Sequence, residues 1–193
     1  MPRGVARDHD DKRAALRKGA AAHFARLGYD RASMTGAAKE CGVSKALLYH
    51  YYSGKEALFF DILDAHFRDL VEAAQEARDQ GLPGLVRAIL ETYADADAEH
   101  KLQIDALHTL PPEMQAPLIA QQRQLVAMMS DALRAERPDL DADTLRALTM
   151  SVFGMLNWVY MWHRPGKGLS REDYAALAAD FIRSGLSGLP GNA

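Results

Sequence analysis

Residues 33–58 read SMTGAAKECGVSKALLYHYYSGKEAL, and the spacing within this stretch sets the fold of the N-terminal part. Met34, Ala37, Ala38 and Cys41 fall at i, i+3, i+4 and i+7, which places them on one buried helical face. Ser33 is a preferred N-cap residue for that helix, and Gly42 supplies a turn position tolerant of positive φ. Ser44 caps a second short helix ending near Tyr52, and Ser53 with Glu56 spells an S-x-x-E capping box for a third. Helix, glycine turn, helix across residues 33–52 is the helix-turn-helix pattern, whose second helix enters the DNA major groove.

Within SKALLYHYY, the spacing turns Val43, Leu48 and Tyr52 inward and leaves Lys45, Ala46, Leu47, Tyr49 and His50 outward. Outward Ala46 and Leu47 make little sense against water alone but can contact thymine methyl groups. Lys45 and His50 offer hydrogen bonds to bases or phosphates, and Tyr49 can give its hydroxyl to a phosphate. Ser33, Thr35 and Ser44, at the starts of the two helices, complete the surface expected to meet the duplex. Lys55 sits in a first helical turn, where the helix dipole already favours an anion, so a phosphate contact accounts for it better than helix stability does.

The charge distribution agrees. Residues 1–58 carry eleven Lys and Arg against six Asp and Glu, whereas residues 59–193 carry twelve against twenty. A basic head (net +5) on an acidic body (net -8) is the footprint of a nucleic-acid-binding end joined to a second domain.

Outside the motif the periodicity is helical throughout, with no run of alternating β-branched residues. A first helix is expected from about Asp11 to Leu27, with Leu16, Ala20, Phe24 and Leu27 as its stripe and Gly28 as its stop. The fourth helix should bury Leu58, Phe59, Ile62, Leu63, Phe67 and Leu70. Further helices are expected after Pro83, over about Glu99–Leu110, between Pro112 and Pro138 with Pro117 bending the early turns, and over about Ala142–His163. A last helix opens at Ser170, whose capping box partner is Asp173. The end, GLPGNA, is expected to fray. The expected organisation is a flexible tail over 1–10, a helix-turn-helix domain over 11–56 and a helical body over 57–193.

The motif resembles the TetR/AcrR (tetracycline-repressor) family of bacterial transcriptional regulators over roughly residues 12–60. The matching residues are Ala20, Phe24, Gly28 and Tyr29, then Ala38, Gly42, Val43 and Ser44, then Leu48, Tyr49, Tyr51, Lys55 and Leu58. The chain departs from the family pattern at Ala37, usually Ile or a similar apolar residue, at Ala46 and Leu47, usually Gly and a hydroxyl residue, and at Tyr52, usually Phe. The resemblance implies an all-α fold of about nine helices, in which a three-helix DNA-binding domain precedes a helical bundle. It also implies a two-fold homodimer paired through the last two helices, a palindromic double-stranded DNA operator, and a small-molecule effector that releases the DNA. The segments GMLNWVYMWHRPGKGLS and LPPEMQAPLIAQQRQ resemble a subset of these regulators whose effectors are often acyl-coenzyme A thioesters.

For the effector pocket the candidates are His100, Gln103, His108, Met114, Arg123, Met128, Asn157, Trp158, Met161 and Trp162. Methionines and aromatics suit an adaptable apolar cavity, although such residues at helical spacing more often serve a core or a dimer seam. Arg123, Arg164 and Lys167 are the cations available to an anionic head group.

Other chemistries are disfavoured. Asp139, Asp141 and Asp143 begin like a calcium loop, but Thr144 and Met150 stand where the loop needs Gly and Glu. Asp95, Asp97, Glu99 and His100 read as a solvated acidic face rather than a metal site. The lone Cys41 excludes a disulfide framework, fits a reducing compartment and belongs to a buried helix face. No H-E-x-x-H, phosphate-binding glycine loop or G-x-S-x-G elbow is present, so neither an enzyme nor a cofactor is expected. The charged start MPRGVARDHDDKR is unlike a secretory signal, and the longest apolar run falls short of the roughly 20 residues of a membrane span. These features point to a cytoplasmic protein. The reading left as the alternative is a helical small-molecule-binding protein or enzyme whose helix-turn-helix has no DNA function.

Overall fold

The structure is a computed structural model; it describes residues 3–190 and the side chains of residues 9–190. Among the described residues it is all-α and has no strand, only an isolated bridge between Arg164 and Lys167. The helices are α1 (Arg3–Leu27), α2 (Met34–Glu40), α3 (Lys45–Tyr51), α4 (Lys55–Glu76), α5 (Gly81–Ala94), α6 (Asp97–Ala106), α7 (Pro112–Glu136), α8 (Ala142–Asn157) and α9 (Arg171–Ser187). A single further turn, Val159–Trp162, continues α8 beyond Trp158.

The described chain forms two compact units. The first comprises residues up to His66 together with Ala98–Leu118, and the second comprises Phe67–Asp97 together with the residues from Ile119 onward. In the first unit α1 contributes Leu16, Ala20 and Phe24 to the core, where Leu48, Leu58, Phe59 and Ile62 are also buried. Phe24, Tyr29 and Phe59 form an aromatic triangle, with Tyr29 and Phe59 centroids 4.4 Å apart. Fully burying each such side chain stabilises by about 1.5–3 kcal/mol. In the second unit α5 packs along α9, and Leu85, Val86, Ile89 and Leu90 of α5 and Ala175, Ala178, Ala179 and Ile182 of α9 are buried.

Five expectations are corrected. Helix α1 begins at Arg3 rather than near Asp11, because residues 3–10 hold no proline and continue the helix; the remaining tail residues, 1 and 2, lie outside the described residues. Helix α4 begins at Lys55, with Leu58 N–H bonded to the Gly54 carbonyl, so Gly54 rather than Ser53 occupies the cap and the S-x-x-E box does not form. The segment expected as one helix to His163 breaks at Trp158. His108 lies in a 3-10 turn after α6, not on the helix. Glu99 and His100 are buried, not part of a solvated face: Lys18 pairs with Glu99 at 3.3 Å. Of the segment GLPGNA, expected to fray, residues 188–190 are held, the Leu189 and Pro190 carbonyls accepting from Arg137 at 3.3 and 3.4 Å, and residues 191–193 lie outside the described residues.

Candidate nucleic-acid interface and effector residues

The turn between α2 and α3 is built by hydrogen bonds that the sequence spacing dictates. Ser33 Oγ accepts from Gly36 N–H at 3.1 Å, and Ser44 Oγ accepts from Leu47 N–H at 3.1 Å. Gly42 adopts φ +65°, donates to the Lys39 carbonyl and lets Val43 donate to the Ala38 carbonyl. That pair of bonds is the Schellman arrangement, which only a residue comfortable at positive φ completes without strain. Gly36 serves a different need, because a Cβ there would lie 2.4 Å from the buried His23 ring of α1. The glycine lets α2 approach α1 closely enough to seat α3.

This frame leaves Lys45, Ala46, Tyr49 and His50 exposed and Leu47 half-buried, while Leu48 and Tyr52 are buried and Val43 is half-buried. Ser33, Thr35 and Ser44 are exposed beside them. The Lys45 ammonium lies 5.6 Å from the Tyr49 ring centroid, so cation and aromatic occupy one patch. His50 meets Tyr51 edge-on at 5.6 Å, and His9 of α1 stacks on Tyr51 at 4.8 Å. Of the five residues foreseen as outward, Lys45, Ala46, Tyr49 and His50 are exposed on one short capped helix, and Leu47 is only partly so.

Lys55 differs from its expectation. Its Nζ donates to the carbonyls of Tyr29 (2.9 Å), Ala32 (3.2 Å) and Asp30 (3.4 Å) and lies 4.2 Å from the Tyr29 ring centroid. The free carbonyls that follow α1 attract an ammonium more strongly than solvent competes for it, so the lysine ties the α1–α2 connection to the start of α4.

Sequence reasoning missed Asp61. This α4 carboxylate is 5% exposed and accepts from Arg13 Nη2 (2.6 Å) and Nε (2.9 Å), Tyr52 Oη (2.7 Å) and Arg17 Nη1 (3.4 Å). Burial and the adjacent carboxylate push the Tyr52 phenol well above its ordinary range, so its proton stays in the bond to Asp61. The available signal was an acid on the apolar stripe of α4, facing two arginines one turn apart on α1.

The effector candidates separate into several places. In the first unit His100 is buried with its ring 5.9 Å from that of His66, and Gln103 and Met114 are half-buried. Burial, with His100 as the second cause, pulls the His66 imidazole down to about 3. His108 is exposed on the wall of a groove of about 430 Å³ shared with Tyr29, Arg31, Lys101 and Leu102. In the second unit Met128 lines a recess of about 190 Å³ with Ala74, Leu85 and Asp131, while Arg123 is exposed. Asn157 Oδ1 accepts from the buried Tyr93 hydroxyl at 2.9 Å. Trp158 is 59% exposed, and Met161 and Trp162 are also exposed; Trp162 packs edge-on against Tyr174 at 4.9 Å. A further groove of about 320 Å³ lies between α8 and α9, lined by Leu148, Val152, Met155, Phe181, Ile182 and Leu186.

A capped, closely seated helix that displays lysine, histidine, tyrosine and small apolar side chains defines a DNA-binding protein of the helix-turn-helix class. Comparisons with known proteins carry this to a family. Residues 16–62 match the bacterial regulatory proteins of the tetR family, and residues 75–186 match the tetracyclin repressor-like C-terminal domain. The chain belongs to the TetR family of bacterial regulatory proteins, a family of DNA-binding transcriptional regulators rather than enzymes.

Among the similar proteins, the HTH-type transcriptional repressor KstR2 of Mycobacterium tuberculosis is 26% identical over 95% of this chain and 96% of its own. The repressor Rv1474c of the same species is 28% identical over 81% of this chain and 86% of its own. A TetR-family regulator from Bordetella parapertussis 12822 superposes with a TM-score of 0.85 at 32% identity, covering 93% of this chain and 98% of that one. AibR, solved in complex with isovaleryl coenzyme A and operator DNA, shares the fold with a TM-score of 0.70 at 22% identity, covering 90% of this chain and 96% of that one. Among the described residues no helix is long and apolar enough to cross a membrane.

Proposed function

We propose that the protein is a homodimeric, ligand-responsive repressor that leaves a palindromic operator when a small hydrophobic effector binds, with acyl-coenzyme A thioesters as the effector class. The observation that carries the DNA-binding part is the exposed face of α3, which concentrates Lys45, Ala46, Tyr49 and His50, with half-buried Leu47 beside them, on one capped helix. In this reading residues 11–56 read DNA in the cytoplasm and residues 57–193 bind effector and dimerise.

Dimerisation through α8 and α9 is supported by their unpartnered apolar faces. Met150 and Leu177 are exposed, Phe181 is 69% exposed, and the groove between the two helices is almost wholly apolar. A second copy would cover side chains that otherwise cost free energy in water. The effector class is supported by AibR, a protein of the same fold solved with isovaleryl coenzyme A bound. The candidate contacts stay His100, Gln103, His108 and Met114 in the first unit and Met128, Asn157, Trp158, Met161 and Trp162 in the second, with Arg123, Arg164 and Lys167 as the cations for an anionic head.

The test has two arms. Selection of duplexes from a random pool should yield a palindrome with half-sites about 34 Å apart or a multiple of it, bound more weakly as salt rises. Substituting Lys45, Leu47 or His50 should alter base preference within that site. Adding a panel of acyl-coenzyme A thioesters should release the duplex and raise the unfolding temperature for at least one member. Absence of any enriched duplex overturns the DNA reading, and a panel without effect overturns the effector class alone.

A further inference from the structure

Tyr52 stands where the resembling family usually carries Phe, and its added hydroxyl is not idle. It is buried at the C-terminal end of α3 and donates to Asp61 Oδ2 at 2.7 Å. The same carboxylate is clasped by Arg13 through both Nη2 and Nε, and Arg17 approaches at 3.4 Å. The Arg13 guanidinium also lies 6.0 Å from the Tyr52 ring centroid. One buried acid thus joins α1, the end of the recognition helix and α4.

We propose that Asp61 is the positioning residue for operator recognition: acting through Tyr52, it fixes the pose of α3 against α1 and α4, and so sets how well the protein tells its operator from other DNA.

Three considerations lead there. Helix α3 spans only Lys45–Tyr51, and Leu48 is its one fully buried residue. Two turns held by Leu48 and, at their end, by the buried Tyr52 ring can still rock, since apolar burial is non-directional. Hydrogen bonds are directional, and those to a charged, buried acceptor are the strong kind, so a bond at the far end from the Ser44 cap removes that rocking. The bidentate grip of Arg13 holds the acceptor itself in one orientation, because the guanidinium fork and the carboxylate are both planar. Base readout depends on side chains meeting base edges within hydrogen-bond tolerance, whereas backbone attraction is long-ranged and forgiving. Loosening α3 therefore costs discrimination before it costs general affinity.

The experiment rests on the DNA-binding reading and uses the whole 193-residue chain. Duplexes are first enriched from a random pool with the wild-type chain. Binding of that selected duplex and of a scrambled duplex is then measured at one salt concentration, at a temperature where each variant is folded by circular dichroism. Tyr52→Phe, which keeps the ring and the core volume, should weaken the selected duplex about five- to tenfold and the scrambled duplex less than about twofold. Asp61→Asn should move the ratio in the same direction and further, because it also frees both guanidinium groups. A pool re-selected with Tyr52→Phe should give a more degenerate consensus. Specific and non-specific affinities falling together, or a ratio unchanged in both variants with only the unfolding temperature lowered, would overturn the inference and leave these residues a structural role. A wild-type protein that enriches no duplex would overturn both the DNA reading and the inference.

Discussion

Lys55 offers a clear contrast between two physical roles for one side chain. In an isolated sequence, a lysine at the start of a helix following a recognition helix reads as a phosphate contact. In the structure its three N–H groups converge on the carbonyls of Tyr29, Asp30 and Ala32, beneath the face of the Tyr29 ring. Substitution by Met keeps the alkyl stem and removes only the ammonium. Hydrogen bonds to a charged donor contribute about 1.5–3 kcal/mol net, and three bonds sharing one half-buried nitrogen fall within that range together rather than each. For a chain of this size about 1 kcal/mol moves the unfolding midpoint by roughly 2–4 °C, so Lys55→Met should lower it by roughly 3–12 °C. Lys55→Arg should recover only part, because a planar fork cannot aim three N–H groups at one tripod of carbonyls.

The DNA assay separates the roles. A phosphate contact adds about 0.9 to the slope of log affinity against log salt, and a dimer would lose twice that on substitution. With the ammonium occupied by carbonyls, the slope for Lys55→Met should match that of the wild type while affinity falls modestly. Thermal unfolding and a salt titration on the selected duplex measure both. An unchanged midpoint together with a slope reduced by about 1.8 would refute the anchoring role and restore the phosphate contact.

Two further outcomes follow from buried groups and bare faces. His66 is held neutral, with its value pulled to about 3 by burial and by His100, so between that value and the unfolded one near 6.5 the unfolded chain binds an extra proton and stability falls as pH falls. Denaturant unfolding should show a loss of about 2 kcal/mol from pH 7 to pH 5 that His66→Leu removes; equal slopes in both proteins would refute it. Phe181→Glu on α9 should convert a dimer to a monomer in sedimentation at micromolar protein, since each copy loses about 1.5–3 kcal/mol of apolar burial and gains a charge to desolvate. An unaltered dimer would place the seam elsewhere.

What could be read from the sequence was local. Ser33, Gly42 and Ser44 act on backbone groups within five residues of themselves, so their spacing carries the whole of their physics, and the turn stands as expected. Lys55 and Asp61 act on partners 23–26 and 9–48 residues away, and no spacing within one helix announces such partners. The break at Trp158 was hidden for a related reason: residues 142–163 hold no Pro or helix-end Gly near that point, and their period continues through it.

The effector candidates illustrate the same limit more sharply. Methionines and aromatics at helical spacing serve a core, a seam or a cavity with equal ease, and only tertiary packing decides among them. Polar residues on an apolar stripe are the more informative signal. Asp61 and His66 interrupt the buried face of α4 five residues apart, about 7.5 Å along the axis, and each is buried. An apolar residue at either position would have been the cheaper choice for the core alone. Asp61 holds the recognition helix, and His66 meets His100 on α6. The interruptions in the pattern of α4, more than the pattern itself, mark the residues whose substitution will be felt at the DNA-binding surface and in the response to pH.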